Sequence, residues 1–182
     1  MNETPNLSPV PLGAEDKLTS VMIYLPQAIF WGDIVLRKQF RASTWLSTNA
    51  VPDIFHLYNP KAIFESNSAN PKPSQLNELM ITTGSILAYH LVPPNFDPVD
   101  INPNEVNMQM RSVDAFLGSF QFSGKLRIST KQTLLTYLEI THVTFLSLYD
   151  VTIQNTFMPN LVMMKIPFAL IRKETTIFNL LK

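Results

Sequence analysis

Ala28-Ile29-Phe30-Trp31-Gly32-Asp33-Ile34-Val35-Leu36-Arg37 decides how the rest of the chain is read. Ala28, Phe30, Gly32, Ile34 and Leu36 fall on one face of an extended segment, while Gln27, Asp33 and Arg37 belong to the other. The same alternation returns at Phe120, Phe122, Gly124, Leu126 and Ile128, each 92 residues after its counterpart. A glycine in mid-strand permits a sharp bend or bulge, which is how small sheets turn corners.

The correspondence extends along the chain. Trp45-Leu46 meets Tyr137-Leu138 at the same spacing, the expected end of a short helix or tight turn. Leu57-Tyr58-Asn59 meets Leu148-Tyr149-Asp150 at a spacing of 91, each closing a short strand that begins near Ile54 or Phe145. The polar stretch Ser66-Asn67-Ser68-Ala69-Asn70-Pro71-Lys72-Pro73-Ser74 reads as a loop that lengthens the first copy by eight residues. Leu79, Ile81 and Leu87 then align with Val162, Met164 and Leu170 at a spacing of 83. On that alignment both copies end in a β-hairpin, Leu79 to Leu91 and Leu161 to Thr175, with Gly84 and Pro167 at the same relative place. The chain is thus expected to hold an arm (1–19), a first repeat (20–92), a proline-rich linker (93–107) and a second repeat (108–182). The competing reading is one irregular β domain whose strands share an alternation by chance.

Composition bounds the function. The chain has 182 residues with 14 basic and 14 acidic side chains, so it carries no net pull toward nucleic acid or anionic lipid. Charged residues are 15% of the total, against about a quarter in ordinary soluble domains, which points to surface covered by a partner. The absence of cysteine excludes disulfide frameworks, thiolate zinc sites, thiol nucleophiles and iron–sulfur clusters. No run of 18 apolar residues occurs, and residues 1–19 show no basic segment followed by an apolar one. The expectation is a cytoplasmic protein with no membrane partner.

A sheet of this size hides its edges best by closing. The pattern of Phe30-Trp31-Gly32-Asp33-Ile34 and Phe122-Ser123-Gly124-Lys125-Leu126, followed by a bent strand and a terminal hairpin, resembles the Sm-like class of small β-barrels, here in tandem. Gly84-Ser85-Ile86 echoes the second motif of that class. The fold class expected is all-β, two tandem small barrels with short helical turns. In that family an Asp and an Asn after the first glycine help bind RNA. Here Lys38 and Ala42 stand at those places in one copy and Thr130 and Leu134 in the other, and Ile166-Pro167-Phe168 lacks the second-motif glycine. The resemblance implies ring assembly more than RNA binding, and architecture alone does not transfer function.

Chemical motifs are few. Gly118-Ser119-Phe120-Gln121-Phe122-Ser123-Gly124-Lys125 ends like a phosphate loop, but its glycines are too far apart, Leu126 replaces the hydroxyl residue, and its alternating aromatics read as a strand. His56, His90 and His142 lie in separate segments without a second ligand at helical spacing, and Glu139-Ile140-Thr141-His142 and Asp53-Ile54-Phe55-His56 are unpaired. No Gly-x-Ser-x-Gly elbow is present, and six of the 14 carboxylates (Glu3, Glu15, Asp16, Asp97, Asp100, Glu105) fall in the arm or linker. No catalytic residue, metal ligand or cofactor is assigned. Arg37, Lys38, Phe40 and Arg41 form the one local cationic cluster, where Phe40 or Trp45 would stack on a base; its counterpart Ser129-Thr130-Lys131-Gln132-Thr133 keeps a single cation. Met108, Met110, Met163 and Met164 suit apolar packing or a contact surface. The sequence therefore points to a non-enzymatic interaction module that self-associates through strand edges or an apolar face as a homo-oligomer. RNA binding by the cationic cluster stands second, and a small-ligand or enzyme site between the repeats third.

Overall fold

The computed structural model describes residues 10–47, 52–65, 71–97, 105–156, 158 and 163–181. Among them the chain forms β1 (Asp16–Leu25), β2 (Ala28–Arg37), α1 (Ala42–Ser47), β3 (Ile54–Phe64), β4 (Ser74–Gln75), β5 (Glu78–Thr82) and β6 (Ala88–Leu91). The second half holds β7 (Met108–Leu117), β8 (Phe120–Ser129), α2 (Leu134–Ile140), β9 (Phe145–Asn155), β10 (Met164–Arg172) and β11 (Ile177–Leu180). A single 3-10 turn, Thr83–Ser85 or Lys173–Thr175, precedes the last strand of each half. The protein is all-β in class with two short helices, as the alternation predicts. No described helix is long and apolar enough to cross a membrane.

β1 and β2 are joined by Pro26-Gln27, and β7 and β8 by Gly118-Ser119, where Gly118 takes a φ of 58°. The two hairpin tips touch, with Ser119 Oγ donating to the Pro26 carbonyl at 3.3 Å. β1 starts at Asp16, so an arm over 1–19 would include the first residues of a strand; residues 1–9 lie outside the described ones. Of the proline-rich 93–107, residues 98–104 also lie outside. Its start folds back: Asn95 N donates to the Val92 carbonyl at 3.1 Å, and the Asp97 carboxylate accepts the Ser43 amide at 2.8 Å.

Both long strands bend where the glycines are. The β2–β3 ladder shifts register between Trp31 and Asp33, and the β8–β9 ladder between Ser123 and Lys125. Opposite each glycine the partner strand carries a left-handed residue, Asn59 (φ 49°) or Asp150 (φ 51°). A Cβ on Gly32 would lie 2.6 Å from the Tyr58 carbonyl oxygen, and one on Gly124 would lie 2.9 Å from that of Tyr149. Close backbone approach makes glycine a requirement at both bends.

The last third of each half differs from the sequence expectation. β5 pairs with β3 from Ile54 opposite Thr82 to Tyr58 opposite Glu78, and β10 pairs with β9 from Phe145 opposite Arg172 to Tyr149 opposite Phe168. Thr82 and Arg172 are therefore counterparts at a spacing of 90, not 83, and β6 and β11 follow at 89. The short β4 answers the start of β10, since Lys61 and Ala62 face Gln75 and Ser74 as Thr152 and Ile153 face Lys165 and Met164. The expected eight-residue lengthening is absent. Neither terminal hairpin forms: β6 pairs with β1 and β11 with β7, at matching registers from Val21 opposite Leu91 and Val113 opposite Leu180. The physical reason is that Ala169, Leu170 and Ile171 are buried on both faces of their strand, which removes the alternation that fixes register.

The strands form one antiparallel sheet of order β11-β7-β8-β9-β10-β6-β1-β2-β3-β4, with β5 also on β3. The sheet is open, where closed barrels would leave no edge. In a closed first half β6 would meet β5; here its outer edge takes β10 from the second half. Two cores result. One gathers Val21, Ile23, Phe30, Ile34, Phe55 and Leu57 and receives Phe145 and Leu170 from the second half. The other gathers Val113, Phe120, Phe122, Leu126, Leu148 and Ile171 and receives Met22, Tyr24, Ile29, Leu87 and Ala88 from the first. β1 therefore buries Val21 and Ile23 on one face and Met22 and Tyr24 on the other, so its apolar run needs no alternation.

Candidate interaction surface

The place where the two halves meet is built by β6 and β10. Leu170 lies opposite Tyr89 and Ile171 opposite Ala88, and the Arg172 amide donates to the Leu87 carbonyl at 2.7 Å. All four apolar side chains are 3% exposed or less. Arg172 locks the joint. Its Nε donates to the Ile86 carbonyl at 2.7 Å, an Nη to the Thr83 carbonyl at 2.5 Å, and its guanidinium sits 4.7 Å from the Phe145 ring centroid. Phe145 packs edge-on to Tyr89 at 5.6 Å. Burial lowers the pKa of Arg172 and Glu174 opposes the change; the three carbonyl and ring contacts satisfy a cation that would be costly to bury alone.

Behind this joint Tyr24 and His90 form a buried pair. The Tyr24 hydroxyl lies 3.0 Å from His90 Nε2, and His90 Nδ1 lies 2.7 Å from the Leu91 carbonyl. Only a ring N–H satisfies that carbonyl, so Nδ1 carries the proton and Nε2 accepts from the phenol. Burial lowers the His90 pKa from 6.5 to about 4, against an opposing contribution from the Leu91 carbonyl. Burial pushes the Tyr24 phenol well above its ordinary value, so the pair is neutral.

The edges corresponding to this joint are open at both ends of the sheet. Among the described residues no strand pairs with the outer side of β5 or of β11. Met80, the counterpart of Leu170, is 66% exposed, and Ile177, the counterpart of Ala88, is 71% exposed. Ile54, the counterpart of Phe145, is 57% exposed beside Met80. The positions of Leu170, Ala88 and Phe145 thus recur uncovered at the two ends of the sheet, while Ile81, the counterpart of Ile171, stays buried and Phe178, the counterpart of Tyr89, is half-buried. The expected self-association through strand edges could not be placed on these particular strands from the sequence, because pairing of β6 with β10 is non-local. The one available signal was Arg172 closing the apolar run Phe168-Ala169-Leu170-Ile171, where a buried cation needs acceptors.

Arg37, Lys38, Phe40 and Arg41 lie together on the turn from β2 to α1. The Lys38 ammonium donates to the Ala14 carbonyl at 2.6 Å and its amide to Glu15, while Arg37 faces Asp16 across the ladder. Phe40 is 43% exposed. Trp45, the other aromatic of the expected stacking pair, is half-buried and packs on the first core, 5.9 Å from Phe55. Gly118 to Lys125 runs from the turn into β8, where ladders to β7 and β9 use its backbone. His56 Nε2 lies 3.6 Å from Glu78 Oε2 and its ring stacks on Tyr58. Among the described residues no three His, Asp or Glu side chains converge on a metal position. A cavity of about 190 Å³ between the halves is lined mainly by apolar groups, including Met22, Tyr24, Trp31, Phe120 and Met164. Its two amides are engaged within the chain, Gln154 with Gln121 at 2.8 Å and Asn155 with Ser119 and the Met158 amide.

No family model, curated protein or solved structure matches this chain.

Proposed function

We propose that the chain is a tandem of two equivalent Sm-like units and that it serves as a non-enzymatic scaffold that self-associates. The observation that carries this reading is the β6–β10 joint, whose two edges recur, unpaired among the described residues, as β11 and β5 at opposite ends of the same sheet. Addition of β11 from one copy to β5 of the next repeats a contact the chain already makes. Each unit is then a bent sheet over its own core, completed at its edge by a neighbour in place of its own strand. The matching bends at Gly32 and Gly124 and the matching registers of four strand pairs support equivalence of the units.

Such a contact joins two different surfaces, so it propagates until rotation closes a ring, and otherwise continues as a filament. The Sm-like resemblance favours a ring. Association would cover Met80, Ile177 and Ile54, each worth about 1.5 to 3 kcal/mol on full burial, and would satisfy two rows of backbone groups. Sedimentation velocity over a hundredfold concentration range tests the reading. Wild-type protein should reach multiples of 20.7 kDa. Ile177→Asp, at an exposed position, should fold normally and stay at the single-chain mass. A wild-type chain that remains single at the highest concentration overturns the proposal.

A further inference from the structure

We infer that the contact between copies is a weaker replica of the joint within the chain, set in the register Met80 opposite Phe178 and Ile81 opposite Ile177, and that residue 82 controls its strength. The inference rests on the self-association proposed above and adds the register and the source of reversibility.

The register follows from the ladders. β5 maps on β10 at a spacing of 90, fixed by the five pairs β5 makes with β3, each matched by a pair of β10 with β9. β11 maps on β6 at 89, fixed by all four pairs each makes with the first strand of its half. Moving Leu170 opposite Tyr89 and Ile171 opposite Ala88 by those spacings gives Met80 opposite Phe178 and Ile81 opposite Ile177. The side chains agree with this placement. Met80 would point into the second core of the neighbour, where Phe178 already packs, as Leu170 points into the first core beside Tyr89. Ile177 would close over Ile81, as Ala88 closes over Ile171.

The replica lacks its lock. At the position of Arg172 the first half has Thr82, which is exposed. Under the ring of Phe145 it has Ile54. The carbonyls that Arg172 ties in the inner joint, of Thr83 and Ile86, correspond to those of Lys173 and Thr176, by the matching turn bonds Ile86 N to Thr83 O (3.2 Å) and Thr176 N to Lys173 O (3.3 Å). Threonine is too short to reach across to either. Two charge-assisted hydrogen bonds and a cation–π contact are therefore present once per chain and absent once per contact between chains. The inner joint is permanent and the outer one dissociates with dilution.

The chain contains no cysteine, so introduced thiols report the contact without background. Met80→Cys and Phe178→Cys chains are mixed, oxidised mildly and compared with a mixture of Met80→Cys and Asn179→Cys, whose thiol points to the other face. In parallel, the dissociation constant of Thr82→Arg is compared with wild type by sedimentation. The register predicts a covalent two-chain product from the first mixture and little from the second, and the missing lock predicts at least tenfold tighter association of Thr82→Arg. If the wild-type chain associates but the second mixture links as readily as the first, or Thr82→Arg binds no tighter, this inference is wrong while self-association stands. If the wild-type chain does not associate at all, the underlying reading falls and this one with it.

Discussion

Adding one methyl group at Gly32 tests the bent-strand geometry on which both cores depend. An alanine Cβ there would stand 2.6 Å from the Tyr58 carbonyl oxygen, 3.0 Å from Pro60 Cα and 3.1 Å from Leu57 Cγ. Two of those neighbours are backbone, held by the β2–β3 ladder on either side of the bulge. Relief requires β3 to move away by several tenths of an ångström, at the cost of ladder bonds and of packing around Phe55 and Leu57, both buried in the first core. Overpacking of a dense interior costs about 1 to 3 kcal/mol, and backbone contact puts Gly32→Ala near the top, at about 3 kcal/mol. Gly124→Ala meets Leu148 Cγ and the Tyr149 carbonyl oxygen at 2.9 Å each; the side-chain part can yield, so about 2 kcal/mol is expected. Gly84 supplies the control, because its nearest neighbour would be Thr82 Cγ2 at 4.0 Å, and Gly84→Ala should change stability by no more than about 0.5 kcal/mol. Urea unfolding followed by emission of Trp31 and Trp45, with constant m-values, gives the three differences. If Gly32→Ala and Gly84→Ala unfold at the same midpoint, the close approach of β2 and β3 is not what places glycine at 32.

Stability should fall with acidity in a window set by His90. Its pKa is about 4 folded and 6.5 unfolded, so between those values the unfolded chain binds a proton that the native chain does not, and stability present above pH 6.5 is lost down to about 4. The difference is worth about 3 kcal/mol relative to a His90→Gln chain; parallel pH profiles of the two proteins would show that His90 is not buried neutral. Arg172→Met, which removes the donor to the Ile86 carbonyl, leaves the Thr83 carbonyl with the Ile86 amide alone and abolishes the contact with the Phe145 ring, should lower the unfolding free energy by about 2 to 3 kcal/mol, read in the same urea assay. An unchanged midpoint would mean that the guanidinium contributes nothing to the inner joint.

Much of the first two thirds of each half was legible because β2, β3, β8 and β9, unlike β1, are covered mainly on one face. Phe30, Ile34 and Leu36 and their counterparts Phe122, Leu126 and Ile128 are buried on alternate positions, so alternation located the bends at Gly32 and Gly124, and the match of Trp45-Leu46 with Tyr137-Leu138 marked a short helix or tight turn after each. The last third was not, for the reason that makes it interesting. β10 and β6 lie between two cores, so Ala169, Leu170, Ile171, Ala88 and Tyr89 are buried without regard to face, and nothing local marks their register. Nor does the composition of Glu78–Thr82 or Ile177–Leu180 reveal that these strands end the sheet, because an edge is defined by what fails to pair with it. The cationic cluster at Arg37, Lys38, Phe40 and Arg41 stood out in the sequence by its spacing alone, and the structure gives Lys38 a partner in Ala14.

Hydrogen–deuterium exchange at low and high protein concentration reads the two edges themselves. Coverage of each edge by a second copy slows exchange at Glu78–Thr82 and at Ile177–Leu180 together as concentration rises, while β6, already flanked on both sides, stays unchanged. Edge amides that exchange at the same rate across the whole range would contradict the claim that a second copy completes this sheet.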